Sequence, residues 1–272
     1  MNHDAPRGPL TRPRRLAWLH RFGPRGPVMI TVAAILASAM AVAAPASAST
    51  TLCGTHARIL QQSSGRDVVS RPNPFGTTQK FCIMAGTRPG FRIVTSLRRT
   101  GRVQAYPFTG VGCAYYLCSP HTDLPRRTRG IPKNAWLSWT WRGTSPGYWN
   151  ASWDIWFDTR DQVTTQDNGA ELMIWERTMP GYTSGSLVRV GGRRMRFMHW
   201  RTCHNGVCWN YIQFRFLRTT HSVHRLPLIP FIRFCARRGL IRWSWWVTSV
   251  HAGYELWSGG RGLTTTWFNA YV

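Results

Sequence analysis

Acidic residues are scarce in this chain, and glutamate is the scarcest of them. Ten Asp and Glu stand against 35 Lys and Arg in 272 residues, and the only glutamates are Glu171, Glu176 and Glu255. Lysine is nearly absent too, with Lys80 and Lys133 its only occurrences, so the excess charge is arginine. Such a field draws anionic polymers and surfaces toward the protein but says little about fold. Nucleic-acid binding is the first class it suggests. Zinc-finger spacing, a helix-turn-helix pattern and the aromatic signature of RNA-binding sheets are all lacking, and the arginines are scattered, so no specific nucleic-acid partner is expected. The nine histidines have no ligand spacing, so neither a metal nor a cofactor is expected. There is no internal repeat and no linker-like stretch, which argues for one folded domain. Beyond the first fifty residues no apolar run is long enough to cross a membrane.

The amino terminus carries Arg7, Arg12, Arg14, Arg15, Arg21 and Arg25, then an apolar run from Val28 to Ala44, then Ala46-Ser47-Ala48. A basic region, an apolar region and a small-residue site read together as a secretory signal over residues 1–48, cleaved before Ser49. A membrane anchor is the competing reading, disfavoured by Pro45 and the small residues after it. Arg14-Arg15 leaves both the twin-arginine and the general secretory route open. Segment 49–272 suits a single all-β domain with a substantial core. It holds 29 basic and nine acidic residues. A secreted, extracellular monomer with no membrane association after cleavage is the expectation.

All seven cysteines lie in that segment, and export favours disulfides with one thiol left over. Asn205-Gly206 is a strong two-residue hairpin signal, which sets Cys203 opposite Cys208 at a spacing a disulfide tolerates. Cys113 and Cys118 can close a small loop, which leaves Cys53 and Cys82 for a longer one. Cys235 is the expected free, buried thiol.

The segment reads mainly as strands. AWLSWTW (Ala135–Trp141), WNASWDIWF (Trp149–Phe157), ELMIW (Glu171–Trp175) and NYIQFRF (Asn210–Phe216) are aromatic and β-branched, separated by turn formers. Many short strands at this spacing indicate a sandwich or barrel. One helix is expected, in Leu226–Leu240, with Gly239 as its stop.

Two of the three glutamates fall inside strand patterns, which disfavour that residue. Alternation puts Glu171, Met173 and Trp175 on one face, Asp154 with Trp156 on another, and Glu255 with Gly253 and Trp257 on a third. Side by side, such faces make an aromatic cleft with acids at its centre. Glycoside cleavage needs that arrangement: one carboxyl protonates the leaving oxygen and a second attacks the anomeric carbon or supports it. Trp156, Trp175 and Trp257 are the candidate stacking surfaces for sugar rings.

Three ordered motifs, ASWDIWFD, GAELMIWERTMPG and SVHAGYELWSGGRGLTTTWFNAYV, resemble glycoside hydrolase family 12, the small secreted endo-β-glucanases. PNPFGTTQKFC and GCAYYLCSPHTDLP extend the likeness upstream, so that it runs from about Asp67 to Val272 and is weakest between Tyr182 and Trp243. The resemblance implies a β-jelly roll of two packed antiparallel sheets with a concave groove. It implies retaining cleavage of β-1,4-glucosidic bonds in cellulose-type glucans, on xyloglucan or mixed-linkage glucan as the near alternative. It also implies Glu171 as nucleophile, Glu255 as acid/base, and Asp154 as the aspartate hydrogen-bonded to the nucleophile. Met173 corresponds to the methionine under the reacting sugar, Asn73 to a groove asparagine, and Phe75 to a position where the family stacks a sugar on Trp. The chain departs from the family pattern at Phe75, at Leu256 in place of Pro, and at Trp153 in place of Tyr. Glu176, where an apolar residue is usual, reads as a strand-end residue, and His251, where Gln is common, as a satisfied histidine, with contact to substrate the alternative. A non-catalytic cationic glucan-binding protein is the rival reading; it has no use for all three acids.

Overall fold

The computed structural model describes residues 49–114, 117–162 and 164–272. The secretory-signal reading of 1–48 lies outside the described residues. The chain begins with β1 (Thr50–Cys53), β2 (Ile59–Ser63), β3 (Arg66–Arg71), β4 (Cys82–Ala85), β5 (Phe91–Ile93) and β6 (Phe108–Ala114). Two short pieces follow, β7 (Leu117–Cys118) and β8 (Arg126–Arg127), then the long strands β9 (Trp136–Arg142), β10 (Ala151–Asp158) and β11 (Ala170–Arg177). The last part holds β12 (Ser186–Val190), β13 (Arg193–His204), β14 (Val207–Phe216), β15 (Ser222–Pro227), α1 (Ile229–Ala236), β16 (Trp246–Gly253) and β17 (Thr264–Tyr271).

These strands form two sheets. The smaller runs β1-β4-β5-β17-β9-β15, and the larger β12-β13-β14-β11-β10-β16-β6-β3-β2. Among the described residues the fold is the expected all-β sandwich with one short α-helix. The expectation of purely antiparallel sheets needs one correction, because β11 and β14 pair in parallel. Segment 178–185 carries the chain to the sheet edge, and the two antiparallel turns β12–β13 and β13–β14 bring it back in the direction of β11. The helix is shorter than expected, since Leu226 and Pro227 belong to β15 and the amide of Leu240 closes the C-terminus onto the carbonyl of Cys235.

Alternation sorts the side chains. From β10, Trp153, Ile155 and Phe157 enter the space between the sheets, as do Leu172 and Ile174 of β11. There they meet Trp139 and Trp141 of β9, Trp149, Tyr254 and Phe268. The Trp139–Trp153 and Trp141–Trp149 rings meet edge-on at 6.0 and 5.9 Å, contacts worth about 0.5–1.5 kcal/mol each beyond area burial. Disulfides join Cys53–Cys82, Cys113–Cys118 and Cys203–Cys208, and Cys235 is free and buried. Cys203 and Cys208 are register partners with Cα atoms 4.0 Å apart, on the hairpin that Asn205 and Gly206 turn at positive φ.

Glu176 is not the plain strand-end residue read from the sequence. It shares the inward parity of Leu172 and Ile174, so its carboxyl is buried in the core, where Oε1 accepts Trp153 Nε1–H at 2.9 Å and Oε2 accepts Trp141 Nε1–H at 3.0 Å. Burial pushes its pKa from the ordinary 4.5 up to about 8. Between those values the unfolded chain has released a proton that the folded chain retains, so this group's contribution to stability falls as pH rises through that window. Glu176→Gln cannot ionise and loses one indole acceptor, which costs about 1–3 kcal/mol near pH 5. The Tm deficit of Glu176→Gln should therefore narrow as pH is raised toward 8. A deficit that stays constant in scanning calorimetry would mean that the core carboxyl does not titrate there.

Candidate active site

The other face of the larger sheet carries a second apolar cluster, separate from the core: Val69, Tyr106, Phe108, Met173, Trp175 and Tyr211, with Tyr182 and Trp257 packed on it. Strand register fixes its layout. One row across the sheet reads Met198, Gln213, Met173, Asp154, His251, Gly110 and Val69. The next reads Trp200, Tyr211, Glu171, Trp156 and Ser249. Residues facing one another across neighbouring strands point to the same side of a sheet. Glu171, Asp154, Met173 and Trp156 therefore share this surface, and Trp175 and Trp257 join it through the apolar cluster.

Glu255 reaches the same place differently from the strand position expected of it. Strand β16 ends at Gly253, and Glu255 follows on a bend held by Tyr254 N–H to the Pro107 carbonyl and Leu256 N–H to the Ala105 carbonyl. Tyr254 and Leu256 still point into the core, so alternation leaves Glu255 and Trp257 half-exposed on the groove side. The absence of the family's proline at Leu256 is compensated by bridges from Leu256 to Ala105 and to Trp149.

Each acid has its own donor. Trp209 Nε1–H donates to Glu171 Oε2 at 2.8 Å, and the Trp209 ring lies 5.5 Å from Trp156. Trp156 Nε1–H donates to Asp154 Oδ2 at 2.9 Å; Asp154 Oδ1 is buried and meets no N–H or hydroxyl donor. The resemblance implied that Asp154 is tied to the nucleophile, and here its bonded partner is Trp156. Asn150 Nδ2–H donates to Glu255 Oε2, while Asn150 Oδ1 accepts the Glu255 amide at 3.2 Å and the Ser152 hydroxyl at 3.0 Å.

Burial raises all three acids. Glu255 is pushed up to about 7 against the Asn150 bond, and Asp154 up to about 8 with the charge of Glu255 adding to burial. Glu171 is raised well above 4.5 by burial first, then by Asp154, then by Glu255. Three carboxyls in one field cannot all ionise near neutral pH, so protons are shared among them. No arginine pairs with any of the three: among the described residues the ion pairs are His121–Asp67 and Arg126–Asp123.

The remaining candidates divide. Met173 lies under the floor, its sulfur held by Tyr211 O–H at 3.1 Å and Trp175 N–H at 3.5 Å. Trp175 is buried beneath Tyr182, with rings 5.5 Å apart, rather than open to a ligand. Phe75 is 61% exposed at the groove edge, and Asn73, at φ 44°, accepts the Tyr106 amide through its carbonyl. His251 is stacked on Phe108 at 4.0 Å, and burial and then Arg71 lower its pKa to about 3, so it is neutral. A Cβ at Gly110 would meet His251 Cδ2 at 2.4 Å, so only glycine leaves room for that ring. Sequence reading missed Trp209, Asn150 and Tyr211. Parity puts Trp209, Tyr211 and Gln213 on one face, but the pairing of β14 with β11 was needed to know which. No group of His, Cys, Asp and Glu among the described residues is arranged to hold a metal ion.

Comparison with known proteins identifies the family. Residues 69–272 match the family described as Glycosyl hydrolase family 12. The probable cellulase Cel12b of Mycobacterium tuberculosis is 32% identical over 158 residues, which span 56% of this chain and 98% of that protein. The solved endoglucanase Cel12A from Rhodothermus marinus is 32% identical, with a TM-score of 0.71 over 81% of this chain and 97% of its own. A metagenome-derived glycoside hydrolase family 12 endoglucanase is 29% identical, with a TM-score of 0.72 over 83% of this chain and 98% of its own. An acid-centred aromatic groove on a two-sheet β-sandwich, matched in sequence from β3 to the last residue, places the chain in glycosyl hydrolase family 12.

Proposed function

We propose that this protein is a secreted, monomeric, retaining endo-β-1,4-glucanase acting on cellulose-type β-glucan, with residues 1–48 removed on export. The observation that carries the proposal is the meeting of Glu171, Asp154 and Glu255 in one field on an aromatic floor. The glucan chain crosses that floor, stacking on Trp156, Trp257 and Phe75, while Met173 and its neighbour Trp175 set the floor's height and Asn73 borders it. Glu171 attacks the anomeric carbon as Glu255 gives its proton to the departing glycosidic oxygen. Water then cleaves the glycosyl ester, with Glu255 taking a proton from it, so the configuration at the anomeric carbon is retained.

The donors fit these roles. The indole N–H of Trp209 favours the ionised form of Glu171, whereas the high pKa of Asp154 lets it carry a proton beside that carboxylate without adding charge. Glu255, pushed up to about 7, holds the proton that the leaving oxygen needs and gives it up as pH rises.

Reducing-end release from mixed-linkage β-glucan, carboxymethyl cellulose and xyloglucan tests the reaction and names the preferred polymer. Folded Glu171→Gln should be inactive, and Glu255→Gln should lose about 10²–10⁴-fold. Activity that survives in folded Glu171→Gln, or a mature protein inactive on all three, removes the assignment. The pH profile tests the electrostatics. The alkaline limb of kcat/KM should fall through about pH 7 as Glu255 ionises. Trp209→Phe removes the donor that favours the Glu171 carboxylate, so the acid limb should move to higher pH while the alkaline limb stays. A profile lowered without any shift would reduce Trp209 to a packing role.

A further inference from the structure

One loop, Leu97 to Val103, places Arg98, Arg99 and Arg102 together without an acid. Backbone bonds hold the loop: Leu97 N–H to the Gly259 carbonyl at 2.8 Å, and Thr100 N–H to the Trp257 carbonyl at 3.2 Å. The side-chain amide of Gln104 adds bonds to the Arg98 and Trp257 carbonyls, both at 2.6 Å. The arginine backbones join in this, but their side chains take no part. None of the three guanidiniums donates a hydrogen bond within the described residues; Arg99 only lies over the Tyr148 ring at 4.5 Å. Three like charges on one loop repel, and their donors are free for an outside partner.

Arg98 borders a cavity. Thr77, Thr78, Gln79, Arg98 and Gln104 line an open pocket of about 490 Å³. It adjoins the groove through its own lining residues. The Gln104 carbonyl accepts the amides of Phe75 and Gly76 at 3.0 and 2.9 Å, and the Gln104 amide donates to Leu256, the neighbour of Glu255, at 2.8 Å. The pocket thus stands beside both the exposed Phe75 and the Trp257 backbone. Its walls supply hydroxyls and one guanidinium, and no carboxylate.

Extending the glucanase reading on which it rests, we propose that this pocket takes an anionic substituent of the glucan chain, a carboxylate carried on a backbone sugar, with Arg98 as its counter-ion. A planar guanidinium matches a carboxylate through two parallel N–H bonds, a geometry that a neutral hydroxyl cannot satisfy. Thr77 and Thr78, in the same wall, offer hydroxyl donors to the carboxylate and to the sugar that carries it. Arg99 and Arg102, on the same loop, add to the positive potential around Arg98.

The test compares carboxymethyl cellulose with uncharged hydroxyethyl cellulose of equal substitution, at about 20 mM and about 500 mM salt, where the screening length falls to roughly 4 Å. Wild type is set beside Arg98→Gln, and beside Arg233→Gln/Arg242→Gln, which removes exposed charge far from the groove. Wild type should prefer the anionic polymer in kcat/KM by about fivefold or more at low salt, with parity at high salt. Arg98→Gln should lose that preference while keeping its rate on hydroxyethyl cellulose, and the remote double variant should keep both. Equal use of the two polymers by wild type, or a preference that persists in Arg98→Gln, overturns the pocket assignment. If wild type cleaves neither polymer, the glucanase reading fails instead, and affinity electrophoresis in the same two polymers decides the pocket: equal retardation of wild type and Arg98→Gln in the anionic gel overturns it, and a selective loss in the variant supports it.

Discussion

A strand of this sandwich has two faces and no third choice, and the site depends on that constraint. In β11 the odd positions Glu171, Met173 and Trp175 face the groove, and the even positions Leu172, Ile174 and Glu176 face the core. A slip of one residue against β10 would send Leu172 and Ile174 into solvent and Glu171 between the sheets, exchanging every role at once. The core tryptophans prevent it, because Trp139, Trp141 and Trp153 interlock around the inward positions and accept only one register. Packing on one side of the sheet thus fixes the chemistry on the other.

Much of this was legible beforehand because it depends on period and spacing alone. The faces of β10 and β11, the hairpin disulfide at Asn205-Gly206 and the spare Cys235 needed no knowledge of which strands lie side by side. What stayed hidden depends on pairing. Trp209 becomes a partner of Glu171 only because β14 runs parallel to β11, a consequence of the path taken by segment 178–185. Asn150 meets Glu255 across 105 positions of sequence. Glu176 was misjudged because its two indole partners sit on other segments, Trp153 on the neighbouring strand and Trp141 in the opposite sheet. Glu255 lies past the end of its strand, where the alternation outlives the ladder that normally maintains it.

The choice of donors is the deeper regularity. The chain is rich in arginine, yet the four acids discussed above are served by neutral groups: Trp209 for Glu171, Trp156 for Asp154, Asn150 for Glu255, and Trp153 with Trp141 for Glu176. An arginine at any of these places would satisfy the same oxygen and also stabilise the charged form by its full field. A neutral N–H orients the carboxyl while leaving its ionisation open to burial and to the other acids. A groove that needs one carboxylate and one carboxylic acid at the same pH has to be built from such donors. Arginine is kept off these carboxyls: the buried Arg71 and Arg215 on the same side of the sheet give their hydrogen bonds to the carbonyls of Thr55 and Tyr182, and the loop carrying Arg98 lies in contact with water.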